Sequence, residues 1–600
     1  MIKAYLDLDD GFFHFKIVND LMFDTLVSLF KSNYLKFDRA SRSYYIKPSL
    51  RAYTLYQELK AYTKVIISAE DIEMLEYCTY PPSNEIRKIK LNPIEDLFIR
   101  HPPMKGIPPN ENFQREAVIK SIRQNRIILD IEMRHGKTYI ASLTIGNLLL
   151  QNQIDRVFIV CKPEGVENFR LELLRFLDGI INEDDIAVVT TENRNIEDFF
   201  DHKIIITNYI TYRLSCSYAS KVNNKSKAKA PTKPSIPFDK WGMKRLIVLD
   251  ECQALNNYES LQSHFLHLHR EFFERRIEMS GSIGYKFLQM YSLCKYLVPE
   301  QIPYTYSEWR DYVSDDYGRT FIPDRVKEFK ENVVDKLMLT YRNCIPQTEH
   351  EEVLTYCTMS EKMRRMYQNA CNNFVNALAK EGNGKVSGSA VLQKYGTLAQ
   401  FTSDPSLLGL ADWKFEDNPK LDVLKSLVEK YVDEEERKII IWGSHPSVLN
   451  KLGKVYEKYK PLVVHGDEST SLKRKERMDT VNKFKADPSS KMLICNYVLA
   501  TSISLVEFTA QVYWDLTSDI DSWVQSKKRF QGPMQKSKVF THHLMFDKSI
   551  DNYIYYDILL QKGKVKNAIS DKESLSLDDY RSIFNPSRNF YLEGDRAVNY

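Results

Sequence analysis

The chain has 600 residues, too many for a single hydrophobic core, and length alone predicts roughly three to five domains or subdomains. With 43% hydrophobic and 27% charged residues and a formal net charge of +4, the composition excludes a disordered or membrane-embedded chain and does not demand a polyanionic partner. Any basic surface must be local. Nine cysteines without a C-x-x-C pair give no zinc site and fit a reducing compartment.

The opening MIKAYLDLDDGFF is acidic and lacks the order of a signal peptide. No apolar run nears the roughly 18 residues of a membrane span, so a cytoplasmic protein with no membrane partner is expected. VNDLMFDTLVSLFK (18–31) has helical apolar spacing, LKFDRASRSYYIKPS (35–49) reads as a hairpin, and LRAYTLYQELKAY (50–62) returns to a helix. Lys36, Arg39, Arg42, Lys47 and Arg51 interleave there with Tyr34, Phe37, Tyr44 and Tyr45. Two readings stand: an accessory α+β domain with a solvated basic face, or contact with phosphates and bases of DNA.

ILDIEMRHGKT (128–138) ends in Gly136, Lys137 and Thr138, but has Ile131 where a P-loop usually places its first glycine. A G-K-T alone also fits a surface turn opening an ordinary helix. Its context is a β-branched run, RIILD (126–130), and a helical pattern, TYIASLTIGNLLL (138–150). Strand, tight turn and helix aim backbone N–H groups at phosphate. In that geometry Lys137 reaches the β- and γ-phosphates of ATP and Thr138 ligates Mg²⁺. RLIVLDECQAL (245–255) supplies the second part, an apolar strand from whose end Asp250 and Glu251 emerge. One carboxylate holds Mg²⁺ and the other polarises water. Between these motifs, residues 217–240 are lysine-rich and without periodicity, a loop that is either merely solvated or a nonspecific phosphate contact. Residues 301–415 are tyrosine-rich and mostly helical in pattern, and DKESLSLDDYRSIFNPS (571–587) reads as a short helix plus coil.

The pair of motifs resembles a superfamily 2 helicase core of the Swi/Snf type, whose P-loop reads D-E-M-G-L-G-K-T. Glu132 and Met133 match it, the early glycine is missing in that family too, and Arg134 and His135 replace G-L. NFQREAV (112–118) is similar to Y-Q-x-x-G-V. VFIVCKPEGVENFRLEL (157–173), KIIITNYITYR (203–213), MSGSIG (279–284) and LQMYSLCKYLVP (288–299) follow in family order. In a second lobe, RKIIIWGSHPSVLNKL (437–452), MLICNYVLATSISL (492–505) and DLTSDIDSWVQSKKRFQGPMQKSKV (515–539) continue it, with Gly532 in place of the second of two arginines. The N-terminal order resembles the small modules of annealing (HARP-type) and phage fork-remodelling helicases, which implies a phage-encoded protein of the host cytoplasm.

The resemblance implies an α/β fold of two tandem RecA-like lobes with an N-terminal α+β accessory domain and a helical insertion. The expected boundaries are 1–105 for the accessory, DNA-binding domain, 106–300 for the ATP-binding lobe 1, 301–415 for the insertion, 416–550 for lobe 2 and 551–600 for a helix and tail. It implies ATP and Mg²⁺ as cofactors, with Gln114 reading adenine and Arg134, His135, Gly136, Lys137, Thr138 and Tyr139 around the nucleotide. Thr138 and Asp250 hold the metal, Glu251 orients water, and Gln525 with Arg529 completes hydrolysis. Lys162, Pro163, Asn168, Thr207, Asn208, Ser444, His465, Gly466 and Asn496, together with Arg39 and Arg42 of the first domain, are expected on a DNA backbone read without base specificity. The expected function is a DNA-dependent ATPase, a monomeric translocase on duplex or forked DNA that remodels or reanneals it beside replication or recombination proteins. A nucleotide-gated scaffold with weak ATPase and a strand-separating helicase are the alternatives.

Overall fold

A computed structural model describes the chain apart from residues 8–11, 19–21, 33–34, 47–49, 70, 73–91, 224–232, 282, 284–285, 303, 316–317, 319, 347–348, 381–387, 411, 466–479, 482, 488, 498–504, 506, 531–534, 536, 571–575, 577–578 and 580–600. It divides into two units, Met1–Cys344 with the helix end from Lys564, and Ile345–Gly563.

The N-terminal module is a mixed sheet of β1 (Ile2–Asp7), β2 (Phe12–Ile17), β3 (Lys36–Asp38), β4 (Ser43–Ile46) and β5 (Val65–Ile66) in the order β3-β4-β2-β1-β5. Period-two alternation gives it one apolar face. Ile2, Ala4, Phe13 and Phe15 are buried there against Leu26 and Phe30 of helix Phe23–Ser32 and Leu55 and Leu59 of helix Leu50–Tyr62. Tyr44, expected among the DNA-facing rings, packs against this core. The other face carries Lys3 opposite Lys16, and Tyr5 opposite His14 with Tyr45 beyond it. The Tyr5, His14 and Tyr45 rings stack at centroid distances of 5.3 and 5.6 Å, and Lys36 lies across from Tyr45.

The larger part of the first unit is an all-parallel sheet of β6 (Arg126–Ile131), β7 (Arg156–Cys161), β8 (Ile186–Val188), β9 (Ile204–Asn208), β10 (Arg245–Asp250) and β11 (Arg275–Ser280). Its strands are covered on both faces, which is why RIILDI, RVFIVC and RLIVLD read as nearly continuous apolar runs. After a small hairpin of β12 (Ser314–Asp315) and β13 (Thr320–Phe321), the tyrosine-rich segment contributes β14 (Met338–Tyr341), which pairs in parallel with β6. The sheet order is β14-β6-β11-β10-β7-β9-β8. The segment is mostly helical as read from the sequence, yet it also supplies β15 (His350–Cys357), an edge strand of the second unit.

That unit holds β16 (Ile439–Gly443), β17 (Leu462–Val464), β18 (Met492–Asn496), β19 (Ala510–Tyr513) and β20 (Val539–Phe546), all parallel, in the order β15-β20-β19-β16-β18-β17. Ile439, Ile441, Val512, Trp514 and Leu544 anchor its core. A buried Lys420–Asp551 pair at 3.2 Å, with Lys420 also donating to the Trp514 carbonyl at 3.0 Å, ties a helix to the sheet. The fold is thus two RecA-like α/β lobes with an N-terminal α+β module. Among the described residues, no helix is long and apolar enough to cross a membrane.

Candidate nucleotide-binding site

In parallel α/β sheets, ligands bind beyond the carboxyl ends of the strands. At that edge of the first unit, the chain leaves β6, turns through residues 132–136 and enters helix Lys137–Leu150. The turn needs left-handed backbone at Arg134 (φ +64°) and Gly136 (φ +79°). At Gly136 a Cβ would also stand 2.3 Å from the Gln114 amide nitrogen, so only glycine fits. The loop's far side is approached by Gly281, whose Cβ would lie 3.0 Å from the Ile131 carbonyl.

Lys137 and Thr138 open the helix, where backbone N–H groups lack intrahelical partners. The Lys137 ammonium lies 3.4 Å from the Ile131 carbonyl and 3.9 Å from the Glu251 carboxylate. Glu251, itself left-handed at φ +53°, follows Asp250 at the end of β10, with β11 between that strand and β6. Gln253 donates to the Glu251 carboxylate at 2.6 Å and accepts from the Ser280 hydroxyl at 2.7 Å, a chain that fixes the acidic side chain from below. Burial and the adjacent Glu251 charge push the Asp250 carboxyl up to about 7, while Lys137 and Lys162 pull it down. The two crowded carboxylates are hard-oxygen groups of the kind that Mg²⁺ takes, and Thr138 stands next to Lys137 at the helix start.

Other expected contacts have different roles here. Gln114 is 3% exposed, and both ends of its amide are engaged by main chain, donating to the His135 carbonyl at 2.9 Å and accepting from Met104 N–H at 2.6 Å. It braces the loop rather than presenting an edge to adenine. The Tyr139 hydroxyl donates to the His101 carbonyl at 2.7 Å and its ring packs edge-on against Phe176, so it is a packing residue. The His135 imidazole is buried and turned away from the helix start, and burial lowers its basicity. Arg134 is half-buried in the turn.

Of the residues expected on DNA, Thr207 is fully buried with its hydroxyl on the Val189 carbonyl at 3.2 Å, which removes it from any surface. Asn208 caps helix Tyr209–Asn223, accepting from Thr211 N–H at 2.9 Å. Lys162 and Pro163 follow β7 near Asp250, both half-buried, and Asn168 is exposed on helix Val166–Phe176. Arg39 and Arg42 are exposed in the turn of the β3–β4 hairpin, which Asp38 ties by accepting from Ser41 N–H at 2.8 Å. Tyr34, Lys47, Gly466, Gly532 and Lys536 lie outside the described residues.

In the second unit, Ser444 binds Asp515 through its N–H and hydroxyl, both at 2.8 Å. His465 is 6% exposed against Asn450, and Asn496 ends β18 half-buried. Gln525 is buried at 2% exposure in helix Ile520–Lys528. Arg529 follows at the helix end, half-buried. Lys527 is committed to Glu352 at 2.6 Å and lies over the Trp523 ring, and burial lowers the Lys528 ammonium to about 8.

Sequence reasoning missed a brace behind the loop. Glu132 accepts Asn343 N–H at 2.7 Å, His135 accepts Cys344 N–H at 3.2 Å, and Arg342 pairs with the fully buried Asp130. The only signal available was the unusual pair of polar residues, Arg134 and His135, inside the loop.

Residues 419–531 match the family model of the helicase conserved C-terminal domain. Among solved structures, the chain is similar to the Sulfolobus solfataricus SWI2/SNF2 ATPase core in complex with dsDNA, at 19% identity over 79% of this chain and 96% of that one, with a TM-score of 0.33. It is similar also to the Sulfolobus solfataricus SWI2/SNF2 ATPase core domain, at 19% identity over 80% and 95%, with a TM-score of 0.32. No curated protein matches the chain.

Proposed function

We propose that this protein is a DNA-dependent ATPase, a translocase that uses ATP to remodel or reanneal duplex DNA. The observation that carries the proposal is the meeting of Lys137, at the start of a helix behind a left-handed glycine turn, with the Asp250–Glu251 pair of the same sheet. The helicase-type likeness of residues 419–531 supports the same reading, and the choice of DNA rests on the Swi/Snf motif order. Lys137 is poised to exchange the Ile131 carbonyl for phosphate oxygens. Glu251, held by Gln253 and Ser280, is an acceptor in place to orient water. Thr138 and Asp250 would hold Mg²⁺, which when bound supplies positive charge to the phosphates. For nucleic acid, the second face of the N-terminal sheet offers the exposed Lys3, Lys16 and Lys36 around the half-buried Tyr5 and Tyr45, which sandwich the buried His14. Like-charged lysines directly opposite in a sheet destabilise it, and an anionic backbone would relieve Lys3 and Lys16. A monomer acting in replication or recombination, and a phage origin, complete the reading.

Phosphate release with no nucleic acid, single-stranded DNA, duplex DNA, forked DNA and RNA tests it. Duplex or forked DNA should stimulate most, and stimulation by RNA alone would defeat it. One observation favours a second reading, a nucleotide-gated scaffold that hydrolyses slowly. Lys527 beside Arg529 is paired with Glu352 and burial disfavours the Lys528 ammonium, which weakens both as substitutes for a second arginine. If Arg529 suffices, Arg529→Ala silences an active enzyme and Gly532→Arg changes little. An inactive wild type that Gly532→Arg awakens establishes the scaffold instead.

A further inference from the structure

The two left-handed turns of the phosphate loop, at Arg134 and Gly136, flank a single residue, His135, that is held from several sides. Its carbonyl accepts from Gln114 at 2.9 Å. Its ring, 3% exposed as a residue, meets Phe113 edge-on at 5.5 Å. The ring nitrogens have opposite tasks. Nε2 lies 3.2 Å from Cys344 N–H, which can only donate, and Nδ1 lies 2.9 Å from the Met133 carbonyl, which can only accept. The Cys344 and Met133 contacts favour the neutral tautomer with the proton on Nδ1, against the pull of the Glu132 carboxylate 3.5 Å from Nε2. Through that tautomer the inner side of the loop is joined to the main chain just after β14, where Glu132 takes Asn343 N–H at 2.7 Å and gives its own N–H to the Tyr341 carbonyl at 3.1 Å.

We infer that His135 is a positioning residue for phosphate binding, its imidazole holding the turns at Arg134 and Gly136 in the conformation that presents Lys137 and the helix start to the nucleotide. The inference rests on the nucleotide reading given above and goes beyond it by assigning the loop's shape to a side chain that touches no phosphate. Leucine, which the resembled motif has here, would fill the space but leave Cys344 N–H and the Met133 carbonyl without their partner. Glutamine can still accept from Cys344 N–H through its side-chain carbonyl.

Equilibrium binding of a fluorescent ATP analogue, steady-state turnover and amide hydrogen exchange on the full chain test this. His135→Leu should weaken nucleotide binding about tenfold, the worth of one buried hydrogen bond. KM should rise with kcat largely kept, and exchange at Cys344 should accelerate. A chain merely destabilised would instead lose active fraction, lowering kcat at constant KM. His135→Gln should restore most of the affinity and of the protection. If His135→Leu does not fold, His135→Asn, too short to reach Cys344 N–H, carries the same expectations. Unchanged affinity in the leucine variant, or a glutamine variant no better than leucine, overturns the inference. A wild type that binds no nucleotide overturns the nucleotide reading and this inference together, a result distinguishable from either of those.

Discussion

Lys137→Ala and Glu251→Gln should both stop hydrolysis, by different routes. The first removes a charge meant for phosphate and should weaken ATP binding. The second leaves the loop and Lys137 intact, so ATP should still bind while turnover falls by about 10²–10⁴-fold, the usual worth of a positioned acid–base group. Binding and single-turnover measurements separate the two, and wild-type turnover in either variant would refute the assignment. A second prediction concerns Glu278 in β11. It is fully buried, and neither carboxyl oxygen has a hydrogen-bond partner among the described residues. Burial holds its carboxyl well above the ordinary glutamate range. Burial favours its protonated form in the folded chain, so its titration takes no stability away below the unfolded value of about 4.3, and stability declines as pH rises from there toward the raised folded value. Glu278→Gln should flatten that decline. Glu278→Met should stabilise at neutral pH by about 1–3 kcal/mol, read as a higher urea midpoint. Residue chemistry of this kind was only partly legible. The positions of Lys137, Thr138, Asp250 and Glu251 at a helix start and a strand end could be read from the sequence, because apolar runs mark where those elements begin and stop. Gln114, Tyr139, Thr207 and Asn208 did not reveal that their polar atoms go to main-chain partners, because motif spacing says nothing about which carbonyl or N–H lies within reach.

At the scale of elements, the parallel strands β6 and β10 could be read directly, since burial on both faces leaves an unbroken apolar run. β14 could not. It has four residues in a helix-rich segment, and its partner strand begins more than two hundred residues earlier. The N-terminal hairpin was legible, but which face its rings take depends on strand register, and a shift of one residue exchanges the faces. Register puts Tyr44 inward and Tyr45 outward. The prediction follows from the outward set. Reversing the charge of Lys3, Lys16 and Lys36 together should lower affinity for forked and single-stranded DNA while basal ATPase stays unchanged, measured by fluorescence anisotropy and phosphate release. The three side chains are exposed, so the fold should survive. Unaltered affinity would leave this module a structural one.

For the whole molecule, binding should be dominated by backbone contact. No base-reading helix was recognisable in the sequence, and the formal net charge of +4 is small, so affinity must come from local basic surfaces. On duplex DNA the logarithm of the binding constant should fall by about 0.9 per log unit of salt for each phosphate neutralised. A salt titration on two unrelated sequences of one length checks this, and a flat response or a strong sequence preference would count against it.

The brace behind the phosphate loop has a consequence for how the chain comes into being. Its three contacts join residues 209, 211 and 212 positions apart. A ribosome that has just finished the loop has therefore made a phosphate site with no back wall. The β14 side of β6 remains uncovered, and Asp130, Glu132 and His135 lack their contacts to residues 342–344, until residue 344 has been synthesised. Contacts this distant close late, because a long intervening chain must first be ordered. On the proposed reading, a nascent or prematurely ended fragment that carries the intact G-K-T sequence but stops before residue 342 lacks all three contacts, and should bind ATP more weakly than the full chain.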